Sequence, residues 1–291
     1  MGRPLIQLLR LPQWTKNLVV FFGIIFSGRL FEGAAEVQAL LAFAAFCAAA
    51  SGVYVINDVI DRTHDAQNPK KKNRPLAAGT LTLTAAWTLM GVLFVGALIA
   101  LRFLPPGCGV VLALYILNNI QYSLWSKHWV ILDILSISFG FILRTLMGIY
   151  AISEIPTLWI LVCIFFLSIF LAFGKRRGEL IYLAAPSEYR PVLEHYTVEF
   201  LNLAMFMSAC MAMVSYSLFT VLSGKNPALV LTLPNVVYGI FYYLHLVINK
   251  SEGDEPEKVL FHHPALVVNL LIWFLLFGLM QYADVVSFEV M

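Results

Sequence analysis

The chain has 291 residues, 60% of them hydrophobic and 12% charged, with a mean hydropathy of +0.81 and a formal net charge of +2. A soluble domain carries about twice that share of charge, so the composition excludes one and points to a polytopic membrane protein. The cysteines, Cys47, Cys108, Cys163 and Cys210, all sit in apolar runs without metal-ligand spacing, so buried thiols are expected and no disulfide.

Nine apolar segments are predicted, over residues 17–31, 37–60, 81–104, 106–125, 128–151, 156–174, 197–222, 227–249 and 263–284, most of them near the roughly 20 residues that cross a bilayer. Arg10-Leu11-Pro12-Gln13-Trp14-Thr15-Lys16-Asn17 leads into the first, which is short and interrupted by Gly23 and Gly28. No small-residue cleavage site follows it, so no signal peptide is expected. The second ends in Asn57-Asp58-Val59-Ile60-Asp61-Arg62-Thr63-His64-Asp65, followed by the loop from Asn68 to Gly79 with Lys70, Lys71, Lys72 and Arg74. Pro105-Pro106-Gly107 separates the third and fourth as a turn signal. The fourth carries Asn118, Asn119 and Tyr122, with Lys127 just beyond it. Asp133 and Arg144 lie on the fifth, 11 residues apart and so close to one helical face, about three turns apart, and a structural partner network around Arg144 is the alternative to a functional role. The sixth ends in Gly174-Lys175-Arg176-Arg177-Gly178-Glu179, and Glu252-Gly253-Asp254-Glu255-Pro256-Glu257 joins the last two segments.

Charge sets the orientation. All but Arg29, Arg102, Lys225 and Arg144 of the 19 basic residues fall in the N-terminal stretch and the connections 2–3, 4–5, 6–7 and 8–9. By the excess of cations in cytoplasmic loops, the N-terminus is cytoplasmic and, after nine spans, the C-terminus is outside. The carboxylates, Glu188 and Asp254 among them, collect on the same side, so function is expected on the cytoplasmic face of the cell (inner) membrane.

Asn57, Asp61 and Asp65 are four apart and line one face of a helix, with Asp58 beside them. Carboxylates gathered at one helix end repel each other unless a cation sits among them, and Mg²⁺ takes such oxygen ligands and shares them with phosphates. The following basic residues suit the same anionic ligand, with Arg74 before Pro75 the more specific contact. Positive-inside topology alone also accounts for a lysine run. Ionisable groups within spans, here Asp133 and Arg144, are costly in lipid and read as functional. The six histidines form no HExxH pattern, and no P-loop, dinucleotide fingerprint or nucleophile elbow is present.

Asn57-Asp58-x-x-Asp61-x-x-x-Asp65 followed by Arg74-Pro75-Leu76-x-x-Gly79 resembles the UbiA superfamily of membrane prenyltransferases, over essentially the whole chain. Gln13-Trp14-x-Lys16-Asn17, Lys127-His128, Arg144, Gly174-Lys175-Arg176-x-x-Glu179-Leu180 and Glu255-Pro256-Glu257 resemble its decaprenyl-phosphate phosphoribosyltransferase branch. The resemblance implies an all-α, nine-helix transmembrane bundle forming a single domain over residues 1–291, with a central cytoplasm-facing cavity. Prenyltransferases of this superfamily resemble one another in a second aspartate-rich motif. At the matching region this chain has Lys175, Arg176 and Arg177 with one nearby acid, Glu179. A basic cluster suits further phosphate groups, as the branch's substrates, 5-phosphoribosyl 1-diphosphate and a polyprenyl phosphate, would supply.

The expected reaction is Mg²⁺-dependent transfer of 5-phosphoribosyl to the lipid phosphate for cell-envelope polysaccharide precursors, with diphosphate released. Asn57, Asp58, Asp61 and Asp65 are the expected metal ligands. Asp58, Asp61 and Lys175 are the expected catalytic groups. Lys16, Asn17, Arg74, Tyr122, Lys127, Arg144, Lys175, Arg176 and Glu179 are the expected substrate contacts. No nucleic-acid partner is expected, and a homo-oligomer is compatible with the sequence. The alternatives are transfer of a prenyl group to an aromatic quinone or haem precursor, and a cation-coupled transporter or lipid flippase. A transporter calls for ionisable groups along a path through the membrane, whereas here they cluster on one side.

Overall fold

A computed structural model describes residues 2–67, 71–182, 190–250, 252–253 and 255–282. Lys70, Glu188 and Asp254 lie outside them. Every regular element among the described residues is helical. In chain order these are α1 (Gly2–Leu9), a 3₁₀ helix (Leu11–Phe21), α2 (Phe22–Ser27), α3 (Gly33–Ile60), α4 (Arg62–Gln67), α5 (Leu83–Leu101), α6 (Pro106–Leu124), α7 (Leu132–Ala151), α8 (Leu158–Tyr182), α9 (Val198–Leu222), α10 (Leu233–Asn249), α11 (Pro256–His262) and α12 (Pro264–Tyr282), with short 3₁₀ turns at Ser126–His128, Pro191–His195 and Pro227–Thr232. Eight segments, α3 and α5–α10 with α12, are long and apolar enough to cross a membrane, α10 taking in the 3₁₀ turn before it. The protein is a multi-pass membrane protein.

The first expected segment has a different form. It is an 11-residue 3₁₀ helix continued by the six residues of α2. At about 2.0 Å per 3₁₀ residue and 1.5 Å per α residue, it extends about 31 Å, close to the ~30 Å of a hydrocarbon core. Glycine explains its position: a Cβ on Gly148 of α7 would lie 1.7 Å from the Val20 carbonyl oxygen, and one on Gly23 2.3 Å from the Gly148 carbonyl carbon. The two backbones touch, which only glycine permits.

The helix ends follow local chemistry. Thr82 and Thr197 cap α5 and α9 by accepting the amides of Ala85 (3.2 Å) and Phe200 (3.1 Å). Pro106 opens α6, where its missing N–H costs nothing.

The described residues pack as two compact units, one of residues 1–127 and 140–155, the other of residues 128–139 and 156–291. In the first, α3 is central: Ala42, Ala45, Phe46, Ala49, Ala50 and Val53 are buried and pack with Tyr115, Leu143 and Met147. Its alanines let neighbours approach closely. Helix α5 is equally apolar yet exposes Val92, Val95, Leu98 and Ile99, as a lipid-facing helix does. In the second unit Phe170, Phe173, Met205, Ala209, Tyr243 and Val247 form the core. Elsewhere in this unit Trp273 Nε1 donates to the Tyr216 hydroxyl (2.9 Å), which lies 2.6 Å from Thr232 Oγ1.

Candidate functional site

The acidic string keeps helical pairing past the end of α3. The Asp61 amide donates to the Asn57 carbonyl (2.9 Å) and the Asp65 amide to the Asp61 carbonyl (2.8 Å), so α4 continues nearly in line. Asp58 and Asp65 are buried at 3% and 1% exposure, which removes them from bulk water and makes their partners decisive. Arg74 Nη1 bridges the two, donating to Asp58 Oδ1 (3.1 Å) and Asp65 Oδ2 (2.5 Å). Arg10 also donates to Asp58, and Lys127 Nζ donates to Asp61 (2.9 Å). Ser123 donates to the Asn57 side-chain oxygen. Lys71 Nζ stands 3.5 Å from Asp65 Oδ1, an oxygen that is buried without a hydrogen-bond donor.

The loop that presents Arg74 is locked by its own sequence. Leu76 is buried with Leu8, Val55 and Ala86. The Pro75 carbonyl accepts from the Thr80 amide (3.0 Å), the Leu76 carbonyl from Arg62 Nε (3.2 Å), and Gly79 turns at φ 70°. Leu76 as anchor and Gly79 as left-handed turn thus give Arg-Pro-Leu-x-x-Gly a mechanical meaning.

Arg10 and Ser123 join the site although the sequence marked Arg10 only within the N-terminal stretch and among the topology charges, and Ser123 not at all. Arg10 holds a left-handed backbone (φ 52°) and stacks over Tyr54 at 4.9 Å. Trp14 Nε1 donates to Ser51 Oγ (3.0 Å), which donates to the Leu9 carbonyl (2.8 Å), tying the turn between α1 and the 3₁₀ helix to α3. The only sequence signal was three consecutive polar-capable residues on one α3 face, Ser51, Tyr54 and Asp58, at helical spacing.

A second cluster in the same unit surrounds Arg144. Its Nε donates to Asn17 Oδ1 (2.9 Å) and its Nη2 to the Tyr115 hydroxyl (3.2 Å). The guanidinium lies 5.0–5.5 Å from the ring centroids of Phe46, Tyr115 and Phe141. Asn17 Nδ2 donates to Cys47 Sγ (3.2 Å). Lys16 instead donates to Gln13 (2.6 Å), and Tyr122 is half-buried next to Ser123 in the chain.

In the second unit, α8 runs to Tyr182, two turns past the expected end of the sixth segment, because its cations are paired inside the protein. Arg176, 1% exposed, donates to Asp133 Oδ2 (2.7 Å) and Glu179 Oε2 (2.8 Å). Asp133 therefore pairs with Arg176. Although the two lie on one helix, Asp133 and Arg144 fall in different units. Tyr196 donates to Asp133 Oδ1 (3.0 Å) and accepts the Ile131 amide (2.8 Å), with Ile131 held at φ 68°. Burial and the neighbouring Asp133 carboxylate raise the Tyr196 phenol, so it remains a donor at neutral pH. Arg177 donates to Asn202 (2.6 Å) and to the Val247 carbonyl (2.5 Å) near the end of α10. Lys175 is half-buried where Arg176 and Arg177 are buried. Glu252 pairs with His263 and Glu255 with Lys258, while the Glu257 side chain lies outside the description. A Cβ on Gly253 would lie 2.6 Å from the Gly174 carbonyl oxygen, so this loop rests directly on α8.

Helical spans that bring carboxylates, guanidinia and amides together at one span end frame a polar site in a multi-pass membrane protein, and named relatives include membrane enzymes. Residues 18–265 match the UbiA prenyltransferase family. A decaprenyl-phosphate phosphoribosyltransferase of Mycolicibacterium smegmatis is 36% identical over 221 residues, 74% of this chain and 69% of that protein. One of Corynebacterium glutamicum is 31% identical over 281 residues, 92% of this chain and 84% of that protein. The solved structure of a UbiA homolog from Archaeoglobus fulgidus bound to GPP and Mg²⁺ superposes with a TM-score of 0.73 at 15% identity, covering 96% of this chain and 99% of that one. The chain belongs to the UbiA prenyltransferase family.

Proposed function

We propose that the protein transfers the 5-phosphoribosyl group of 5-phosphoribosyl 1-diphosphate to a polyprenyl phosphate. The observation that carries this reading is the 31% identity to a decaprenyl-phosphate phosphoribosyltransferase across 92% of the chain. In the reaction the bond from ribose C1 to the diphosphate breaks, and a bond from C1 to a lipid-phosphate oxygen forms. The attacking oxygen is already anionic, so positioning and electrostatics, not a strong base, supply the rate.

Asn57, Asp58, Asp61 and Asp65 would hold Mg²⁺. The fit rests on their chemistry: hard oxygen donors, with Asp65 Oδ1 buried and lacking a hydrogen-bond donor. Among the described residues no three acidic, histidine or cysteine side chains already form a metal cage. When bound, the metal supplies charge neutralisation on the departing diphosphate. Arg74 and Lys127, already beside these carboxylates, take diphosphate oxygens by charge-assisted hydrogen bonds. Lys175 contacts a substrate phosphate, and Arg176 with Glu179 fixes the end of α8 that carries it. The 3₁₀–α2 composite serves as a ninth span, with the N-terminus and the acidic site cytoplasmic, in the inner membrane.

The test is transfer of ribose label from 5-phosphoribosyl 1-diphosphate into extracted lipid by membranes containing the protein. Labelled lipid that appears with Mg²⁺ and vanishes with a chelator supports the reading. Absence of labelled lipid with both substrates and Mg²⁺ present contradicts it.

A further inference from the structure

Arg144 is a cation without a counter-charge. It is 6% exposed on a membrane-spanning helix, and its hydrogen bonds go to neutral groups, Asn17 and Tyr115. Among the described residues no carboxylate pairs with it, and Nη1 makes no hydrogen bond. A guanidinium held in a span is expensive unless something anionic compensates it. The three rings around it lower that cost but leave the fork's outer nitrogen unused.

The guanidinium packs over Gly140: a Cβ there would lie 3.2 Å from Arg144 Nη1 and 3.8 Å from Asn118 Nδ2, so both nitrogens converge on this backbone position. Asn17 fixes the guanidinium from the other side, and the Gly23–Gly148 backbone contact is what lets Asn17 come that close.

We infer that Arg144 and Asn118 form a phosphate-monoester subsite, and that it takes the 5-phosphate of the sugar donor. The assignment rests on the proposed reaction and on distance. Along α6, Tyr115 precedes Ser123, the partner of Asn57, by two turns, about 12 Å. Along α3, Phe46 precedes Asn57 by three turns, about 16 Å. The donor carries a diphosphate on C1 and a phosphate on C5, across the ribose from each other. A molecule with its diphosphate at the acidic end reaches toward Arg144 with its 5-phosphate. The acceptor phosphate has the same monoester chemistry, but it must come within about 3–3.5 Å of C1, beside the diphosphate. Arg144 is too deep for that role.

The experiment uses the full chain purified in detergent, with ribose 5-phosphate and Mg²⁺-pyrophosphate as separate probes of thermal stability. Wild type is stabilised by both; Arg144→Met keeps the pyrophosphate response and loses the ribose 5-phosphate response. In turnover, Arg144→Met raises the KM of the donor about tenfold or more and leaves that of the lipid acceptor unchanged, with Arg144→Lys between the two. Gly140→Ala keeps the arginine but crowds its Nη1, and raises the donor KM in a protein that needs no refolding around a lost charge. A rise in acceptor KM alone overturns the 5-phosphate assignment. Unchanged KM values with an unchanged ribose 5-phosphate response overturn the subsite. A wild type that binds ribose 5-phosphate through Arg144 but transfers no ribose refutes the proposed reaction and leaves the subsite standing.

Discussion

Replacing Arg74 with Gln tests whether one guanidinium holds the acidic site together. The residue bridges two carboxylates that are 3% and 1% exposed, and its own side chain is 29% exposed. Breaking a buried ion pair by removing one partner costs about 3–5 kcal/mol. Asp58 keeps Arg10, and Lys71 stands 3.5 Å from Asp65, so part of the loss is recovered. A net cost of roughly 2–3 kcal/mol follows, which lowers the unfolding midpoint by roughly 5 °C in a chain of this size. The assay is thermal unfolding in detergent of wild type, Arg74→Gln, Asp65→Asn and the double variant. If the cost is an uncompensated buried charge, Asp65→Asn in the Arg74→Gln background restores at least half of the lost stability. A double variant as unstable as the sum of the single changes refutes the bridging argument.

Gly148→Ala forces a Cβ to 1.7 Å from the Val20 carbonyl oxygen and sharply reduces folded yield by size-exclusion chromatography, whereas Gly91→Ala, with nothing within 4 Å, leaves yield and midpoint unchanged or slightly raised. Arg176→Leu removes the guanidinium shared by buried Asp133 and Glu179 and lowers the unfolding midpoint more than Lys175→Ala, which leaves the fold intact and lowers transfer activity instead. Asp61→Asn removes a half-buried carboxylate whose ion pair is with Lys127, so activity falls about tenfold or more while the midpoint moves by less than for Arg74→Gln.

The helical fold class and most span positions were legible because lipid leaves few solutions: apolar runs of the right length must be helices. Residue chemistry at Asn57–Asp65 and Arg74 was legible because all lie within one local stretch whose helical spacing and turn residues fix their geometry. What the sequence concealed depends on distant packing. Arg10 reaches Asp58 across 48 positions, and Asn17 reaches Arg144 across 127. Lys175 and Arg176 were both expected to contact substrate, yet Arg176 is absorbed by Asp133 and Glu179, and Arg177 by Asn202 and a helix end. Asp133 and Arg144 matched in helical phase, but phase on one helix says nothing about which neighbours each side chain meets. The 3₁₀ stretch over Leu11–Phe21 was hidden for a like reason, since its Val20 end packs against the backbone of distant Gly148.

The most direct test of the central claim offers one membrane preparation both pairs of substrates with Mg²⁺: 5-phosphoribosyl 1-diphosphate with polyprenyl phosphate, and prenyl diphosphate with an aromatic acceptor. Labelled phosphoribosyl lipid without prenylated aromatic product is the predicted result. Prenylated aromatic product with no phosphoribosyl lipid would contradict the account.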